Sequence, residues 1–576
     1  MSEPLGSFCL VLHAHLPYVL GHGTWPHGAQ MLYEAVTDTY IPLLWTLRKL
    51  ASEGVRPAIT ISFSPVLLEQ FADERFRDWY PAALDERIYF AGENEREFSS
   101  RGDGHLAWLA RRWRERLESV RATFEELGRD LTAGYRDLHH AGLLQLITSA
   151  ATHGYLPLLH EDGSIQLQVK QAVACFRRHI GDWPRGLWLP ECAYRPRCRW
   201  APPGHLAPPC VPWPRKGIEE FLADNGIDFC FVDTHMLAGP VAPAEVDFHD
   251  TLGKLWGRLR QIREPMRYDG LRTPYAPYFI ASWVQDLPAV AVLIRDPATG
   301  LRVWSARHGY PGDFDYLEFH KKHVPGDLRY WRVTDASGDL ASKDVYVPEW
   351  AEHKAREHAG HFLWVVKETL RWAPREGRRP VLCAPFDAEL FGHWWHEGPV
   401  WLEHVLRWMH HDPDIHLATC SEYLSQFPPS EAIELPEGSW GAGGGHWVWD
   451  NDRTAWTWPK VWDAELDYLA LLRDHGFGHD EASRALITQA GRELLLLQAS
   501  DWQFLITTDG APDYAAQRFT AHHSDFKRLA HTARRYCRSE WISREDWDHL
   551  GACQDRDRLF PDLDPAWFAR VDRPAQ

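Results

Sequence analysis

The 576 residues carry 80 acidic against 62 basic side chains, a formal net charge of −18, with 45% hydrophobic content. A negative balance of that size repels phosphate backbones and argues against nucleic-acid binding. No apolar run is long enough to cross a bilayer, and the length suits one large catalytic domain plus a smaller one. The N-terminus, Met1-Ser2-Glu3-Pro4, shows no basic segment followed by a long apolar one, so no signal peptide is expected. Ten scattered cysteines without a C-x-x-C pair read as reduced thiols and place the protein in the cytoplasm. The 30 Trp residues offer flat apolar faces that suit pyranose stacking, although they suit ordinary cores as well.

Short continuous apolar runs fall at 8–12, 58–63, 143–148, 186–190, 229–232, 289–294 and 381–384, with an eighth at 415–418. Runs that do not alternate predict strands buried on both faces. Pieces such as 40–51 and 217–225 between them predict amphipathic helices, and alternating strand and helix predicts a parallel α/β barrel. The segment 73–138, rich in Arg, Glu and Trp, predicts a helical insertion. The Pro-rich stretch 201–214 predicts a stiff loop edging a cleft, and the excursion 240–288, with Tyr268, Tyr275, Tyr278 and Trp283, predicts a functional lid or a partly ordered insertion. After about residue 430 comes a Gly- and Trp-rich loop from Gly438 to Asp450, followed by helical patterns at 461–475, 480–504 and 511–535. The expected organisation is a catalytic domain over 1–429 and an all-helical domain over 430–576 whose leading loop reaches back to the barrel.

The residues that follow these runs carry the chemistry. They are His13, His15 and Pro17; His153 and Tyr155; Glu191; Asp233 and His235; Arg295 and Asp296; and Asp387. In a β/α barrel such positions converge on one rim, where active sites form. Glu191 and Asp387 each end an apolar run among aromatic rings, a costly place for a carboxylate without a task. A pair of carboxyls suits glycosidic chemistry, with spacings of about 5–5.5 Å for retention and about 6.5–9.5 Å for inversion. Arg195 near Glu191 would keep it ionised as a nucleophile, whereas the apolar neighbours of Asp387 would raise its pKa into the range of a usable acid. His13 and His15 lie on one strand face and offer a second reading, a metal site completed by Asp233 or His235.

These motifs resemble a known family. His13-Ala14-His15-Leu16-Pro17, Thr152-His153-Gly154-Tyr155, Trp188-Leu189-Pro190-Glu191-Cys192-Ala193-Tyr194, Phe231-Val232-Asp233-Thr234-His235, Gly309-Tyr310-Pro311-Gly312-Asp313 and Phe386-Asp387-Ala388-Glu389-Leu390-Phe391-Gly392-His393-Trp394-Trp395 are similar to glycoside hydrolase family 57, more narrowly to its 1,4-α-glucan branching enzymes. The run from Arg492 to Leu505 resembles their helical domain. The resemblance covers nearly the whole chain in order. It implies an incomplete (β/α)7 barrel with a helical insertion and a C-terminal all-helical domain, and retaining transfer of an α-1,4-glucan segment to a 6-hydroxyl. It also implies Glu191 as nucleophile and Asp387 as general acid/base, with no cofactor and no metal. His13, His15, His153, Asp233 and His235 would line the donor subsite. Trp304, Trp440 and Trp449, with Trp25, would border the glucan groove, and Trp395 joins the substrate-binding set. Tyr275 or Tyr278 would cap the site against water. The sequence departs from the family at Leu16, which stands where a polar residue is usual. Competing readings are an α-glucan hydrolase or 4-α-glucanotransferase with the same acids, a metal-dependent carbohydrate deacetylase, and an idle glucan-binding protein.

Overall fold

The computed structural model describes residues 3–24, 26–206, 210–238, 272–284, 287–304, 309–335, 338–374 and 378–571. Ten strands share one sheet: β1 Gly6–Ala14, β2 Thr60–Phe63, β3 Gln145–Ser149, β4 Gly186–Trp188, β5 Phe229–Val232, β6 Tyr278–Ile280, β7 Ala291–Ile294, β8 Val381–Asp387, β9 Ile415–Leu417 and β10 Ala432–Ile433. The hydrogen-bonded order is β8-β1-β2-β3-β4-β5-β7-β6-β10, and all pairs are parallel except β6 with β7. One bridge, Arg295 with Cys383, ties the exit of β7 back to β8, with the Asp296 N–H donating to the Cys383 carbonyl at 2.9 Å. Seven parallel strands therefore curl into a barrel whose last seam, among the described residues, is closed by that bridge. These are the seven apolar runs. The eighth, β9, lies outside the ring against the first residues of β1, which it pairs through Gly6–Phe8.

Strand alternation explains both the core and the site. Cys9 and Val11 of β1, Ile147 of β3, Trp188 of β4, Phe229 and Phe231 of β5, Leu293 of β7 and Cys383 of β8 form one buried interior cluster. Their alternating partners, such as Phe8, Leu10 and Leu12, belong to the larger core packed against the surrounding helices. Continuing the interior parity toward each C-terminal end reaches His13, Asp233, Arg295 and Asp387, so period 2 delivers polar side chains to one rim above an apolar plug.

Between β2 and β3 run two long helices, α1 Glu74–Ser100 and α2 Gly104–Glu126, joined by three residues. Asp73 caps the first by accepting from the Arg75 N–H at 2.8 Å. The stretch 201–214 is partly a hairpin, Cys198–Trp200 with Trp213–Arg215. Most of the excursion 240–288, with Tyr268, lies outside the described residues, as does Trp25.

The C-terminal part is helical: α3 Trp458–His475, α4 Glu481–Leu497, α5 Asp501–Thr507 and α6 Pro512–Cys537. The periodicity over 480–504 reads as one helix, but the structure breaks it at 498–500. There Ala499 makes an antiparallel bridge with Gly154, and the Ser500 N–H donates to the His153 carbonyl at 3.0 Å. Backbone bonds to the barrel replace the helical ones at that point, which single-helix periodicity cannot register. Among the described residues no helix is long and apolar enough to cross a membrane.

The loop after β8 turns on Gly392, whose φ is +125° and whose hypothetical Cβ would lie 1.9 Å from the Asp38 carbonyl oxygen. Because that neighbour is backbone, it cannot swing aside. Gly392→Ala is expected to destabilise the fold by about 2 kcal/mol or more, read as a drop of several degrees in apparent Tm; an unchanged melting curve would refute this reading of the turn.

Candidate active site

Glu191 leaves β4 in the left-handed region, φ +59°, and Cys192 follows at φ +46°. Such backbone is uncommon outside glycine and persists only where neighbours enforce it. Here the enforcer is the Gly/Trp-rich loop. Tyr194 and Gly438 exchange two backbone hydrogen bonds of 2.9 and 3.0 Å, and the Trp440 N–H donates to the Glu191 carbonyl at 3.1 Å. The carboxyl of Glu191 is held from the same direction. The Trp440 indole N–H donates to Oε2 at 2.8 Å, and the Ser500 hydroxyl faces Oε1 at 2.9 Å. Burial pushes this carboxyl up to about 7 despite those two donors. Arg195, expected from sequence to keep Glu191 ionised, is buried elsewhere. Its guanidinium donates to the Pro196 carbonyl at 3.3 Å and makes no described hydrogen bond to the Glu191 carboxyl.

Three imidazoles stand behind and beside Glu191. His13 lies flat on Trp188, with centroids 4.6 Å apart and planes 1° apart. Its Nδ1 faces Ser62 Oγ at 3.1 Å and its Nε2 faces His153 Nε2 at 3.0 Å. His153, itself at φ +58°, places Nδ1 2.9 Å from Ser500 Oγ and 3.8 Å from Glu191 Oε1. Burial drives both imidazoles well below their ordinary range. His15 differs. Burial lowers it too, but the Asp501 carboxylate at 3.1 Å outweighs that and leaves it raised. Its Nδ1 faces Ser64 Oγ at 2.9 Å. Every ring nitrogen of these three histidines thus meets a protein partner, and none is left over for a sugar hydroxyl in this state.

Asp387 ends β8, opposite His13 in the strand register. Among the described residues no donor holds its carboxyl. Burial, then the nearby charges of Glu389 and Glu191, push it well above the carboxylate range, opposed only by Arg295. The two acids are therefore close enough to sense each other's charge. Glu389 is buried beside them, accepting from the His15 N–H at 3.0 Å and from the Tyr40 hydroxyl.

The remaining sequence candidates divide. Trp304 and Trp440, both half-buried, meet edge to face at 6.4 Å. On Trp440 the Arg295 guanidinium stacks at 5.7 Å, and Arg295 in turn pairs with Asp233 at 3.5 Å. His235 donates through Nε2 to the Gly444 carbonyl at 3.2 Å. Gly444 sits at φ +76°, where a Cβ would lie 2.6 Å from that ring, so the glycine admits the close approach. Asp233 and His235 thus brace the loop rather than joining His13 and His15 in a metal site. The described group with metal-ligand spacing at the site is instead His15, His153 and Asp501, whose facing atoms already meet hydrogen-bond partners. Trp395 and Trp449 need correction as groove residues. Each is 1% exposed, Trp395 among Phe391, Trp401 and Tyr316, and Trp449 stacked on Tyr155 at 4.4 Å. A ring sealed in the core offers no face to a sugar. The Tyr275 hydroxyl donates to Asp296 at 3.1 Å, and that of Tyr278 to the Thr273 carbonyl at 2.9 Å. Ser500, Asp501, Ser62 and Glu389 carry no signal as site residues in the sequence reading; only a Ser-Asp pair at a helix start could have drawn attention to the first two.

The chain matches known proteins along nearly its whole length. The model of glycosyl hydrolase family 57 matches residues 9–436, and that of the 1,4-alpha-glucan branching enzyme C-terminal region matches residues 463–568. The chain belongs to glycosyl hydrolase family 57. It is 38% identical over 558 residues to a 1,4-alpha-glucan branching enzyme of Thermococcus kodakarensis, covering 96% of this chain and 77% of the relative. The crystal structure of that branching enzyme in complex with glucose aligns at TM-score 0.86 with 36% identity, covering 99% of this chain and 98% of the other. An alpha-amylase from Thermotoga maritima aligns at TM-score 0.80 with 26% identity, covering 98% and 99%.

Trp440→Phe keeps the ring and removes the N–H held by Glu191. A hydrogen bond to a charged group contributes roughly 1.5–3 kcal/mol, about one to two pKa units. The donor favours the ionised carboxyl, so its loss raises the pKa further above about 7. The acidic limb of the kcat/KM profile is expected to move to higher pH by about one unit. A limb that stays put, or moves down, would show that the indole does not tune this group.

Proposed function

We infer that this chain is a 1,4-α-glucan branching enzyme that works by double displacement. The observation that carries the inference is spatial. The region matching the branching-enzyme C-terminal model, 463–568, is the region that brings Ser500 to Glu191 and Asp501 to His15.

In this reading Asp387 is the general acid and Glu191 the nucleophile. Asp387, protonated through burial and neighbouring acids, gives its proton to the glycosidic oxygen of an internal α-1,4 bond. The ionised Glu191 attacks C1 from the opposite face, and the released chain end departs as an alcohol. Asp387, now a carboxylate, takes the proton of an incoming glucan 6-hydroxyl. That oxygen attacks C1, the glycosyl ester breaks, Glu191 regains its carboxylate, and an α-1,6 branch remains. Two inversions give net retention. Trp304 and Trp440 form the half-buried aromatic wall beside Glu191 and supply the sugar-facing surface. Hydrolysis is the same cycle with water as acceptor, and the Thermotoga alpha-amylase alignment makes it the second reading. The substrate is an α-glucan. All ten cysteines are unpaired, which supports a reducing compartment, and we place the enzyme in the cytoplasm.

Incubation with amylose, followed by proton NMR of α-1,6 linkages against free reducing ends, tests the reaction. Branch signal is expected to exceed new reducing ends; reducing ends without branch signal would make the protein a hydrolase. Glu191→Gln and Asp387→Asn are each expected to lower turnover by at least about 10³-fold, and a near-normal rate in either would overturn the residue assignment.

A further inference from the structure

One chain of heavy atoms links five side chains, ending on Glu191. It runs from Ser62 Oγ to His13 Nδ1 at 3.1 Å, from His13 Nε2 to His153 Nε2 at 3.0 Å, from His153 Nδ1 to Ser500 Oγ at 2.9 Å, and from Ser500 Oγ to Glu191 Oε1 at 2.9 Å. Its outer end is anchored. The Ser62 hydroxyl donates to the Thr148 carbonyl at 3.1 Å, so toward His13 it can only accept. His13 Nδ1 therefore carries a proton. Two facing Nε2 atoms at hydrogen-bond distance require one proton between them and exclude two or none.

Two proton arrangements then satisfy every link. In the first, Glu191 is protonated on Oε1 and donates to Ser500. Ser500 donates to His153 Nδ1, and the His153 Nε2–H donates to His13 Nε2. Both imidazoles are neutral. In the second, Glu191 is ionised and accepts from Ser500. Ser500 accepts from His153 Nδ1–H, and the proton between the two Nε2 atoms makes the pair an imidazolium. The change moves the Glu191 proton onto Ser500 Oγ and the Ser500 hydroxyl proton onto His153 Nδ1. One proton shifts along the chain, no heavy atom moves, and the net charge is unchanged. An ionised Glu191 with two neutral imidazoles is fully bonded only if Ser62 gives up the Thr148 carbonyl.

We propose that Ser500 is a positioning residue that relays one proton between Glu191 and the His153–His13 pair, so that the nucleophile ionises inside the covered site without exchanging a proton with solvent. The proposal rests on Glu191 being the nucleophile. The need for it follows from burial. An isolated charge is disfavoured on Glu191, on His153 and on His13 alike. The transfer creates two opposite charges 3.8 Å apart rather than one alone. Other titratable groups near Glu191 are His15 just after β1, Asp501 from α5, Asp387 from β8, Tyr155 after β3 and the adjacent Cys192 thiol. None of these side chains is hydrogen-bonded to the chain from Ser62 to Glu191, so their charges bias the relay without carrying its proton.

The test uses a 5-fluoro-α-glucosyl fluoride, whose fluoride leaves without an acid and whose glycosyl ester stays on the nucleophile. The labelling rate is followed by intact-protein mass across pH, and peptide mapping locates the ester. With wild type the ester is expected on Glu191; an ester on another residue overturns the nucleophile assignment and the relay with it. Ser500→Ala is expected to slow labelling by about 10- to 100-fold and to move its acidic limb to higher pH, because the carboxylate loses both a donor and its proton sink. Ser500→Thr, which keeps the hydroxyl, is expected to restore the wild-type midpoint. Ser62→Ala, at the far end and out of contact with Glu191, is expected to move the limb in the same direction, and to add nothing in the Ser500→Ala background. A uniform rate loss with an unmoved midpoint, or shifts that add in the double variant, would overturn the relay.

Discussion

Two hydrogen bonds reach the Glu191 carboxyl from the last quarter of the chain, one from the Trp440 indole and one from the Ser500 hydroxyl. The rest of the site depends on them. The barrel alone delivers a carboxyl at the exit of β4, in left-handed backbone that has little intrinsic reason to persist. The loop from Gly438 to Trp440 pairs with 191–194 as a short strand would, and this pairing holds the conformation. The Glu191 carboxyl thus meets its two donors only when residues some 250 and 300 positions downstream are in place.

The same contacts separate the two acids. Burial raises both Glu191 and Asp387, so burial cannot by itself assign one as nucleophile and the other as acid. Hydrogen bonding does distinguish the two carboxyls. Glu191 meets two donors, which favour its charged form. Asp387 meets none among the described residues and has Glu389 beside it, which disfavours a second negative charge. The donors that favour an ionised Glu191 come from the C-terminal region. Two like environments are pushed apart by partners, a familiar way to obtain acid and base from the same side chain.

The barrel was readable because its signal is local. Seven continuous apolar runs became seven strands, and period 2 placed His13, Asp233, Arg295 and Asp387 at one end. The eighth run was equally apolar but pairs only the first three residues of β1, a distinction that depends on register rather than on composition. Site chemistry was less readable where it crosses the chain. Arg195 lies four residues from Glu191, yet its side chain turns away from the carboxyl. Ser500 lies about 300 residues off and touches it. The rings of Trp395 and Trp449 carry the same sequence signal as Trp440, and only burial distinguishes a core ring from a cleft ring. Helical periodicity ran through 498–500 without a break, because the bonds that interrupt it come from residues after β3.

The way the helical part docks explains how so long-range an arrangement stays in register. Its contact with the barrel near the site is polar as well as apolar. Gln168 reaches Gln498 at 3.1 Å, Gln498 reaches Ser164 at 2.9 Å and Glu465 at 3.1 Å, and the Trp462 indole donates to the Leu158 carbonyl at 2.8 Å. An apolar interface tolerates small slips, since contact area changes little. A buried amide network does not, because a shift of one residue leaves donors and acceptors unpaired at roughly 1–3 kcal/mol each. Gln498 is two residues from Ser500. Fixing its amide therefore fixes the point at which α4 stops and the hydroxyl meets Glu191, with an angular precision that hydrophobic packing alone would not impose.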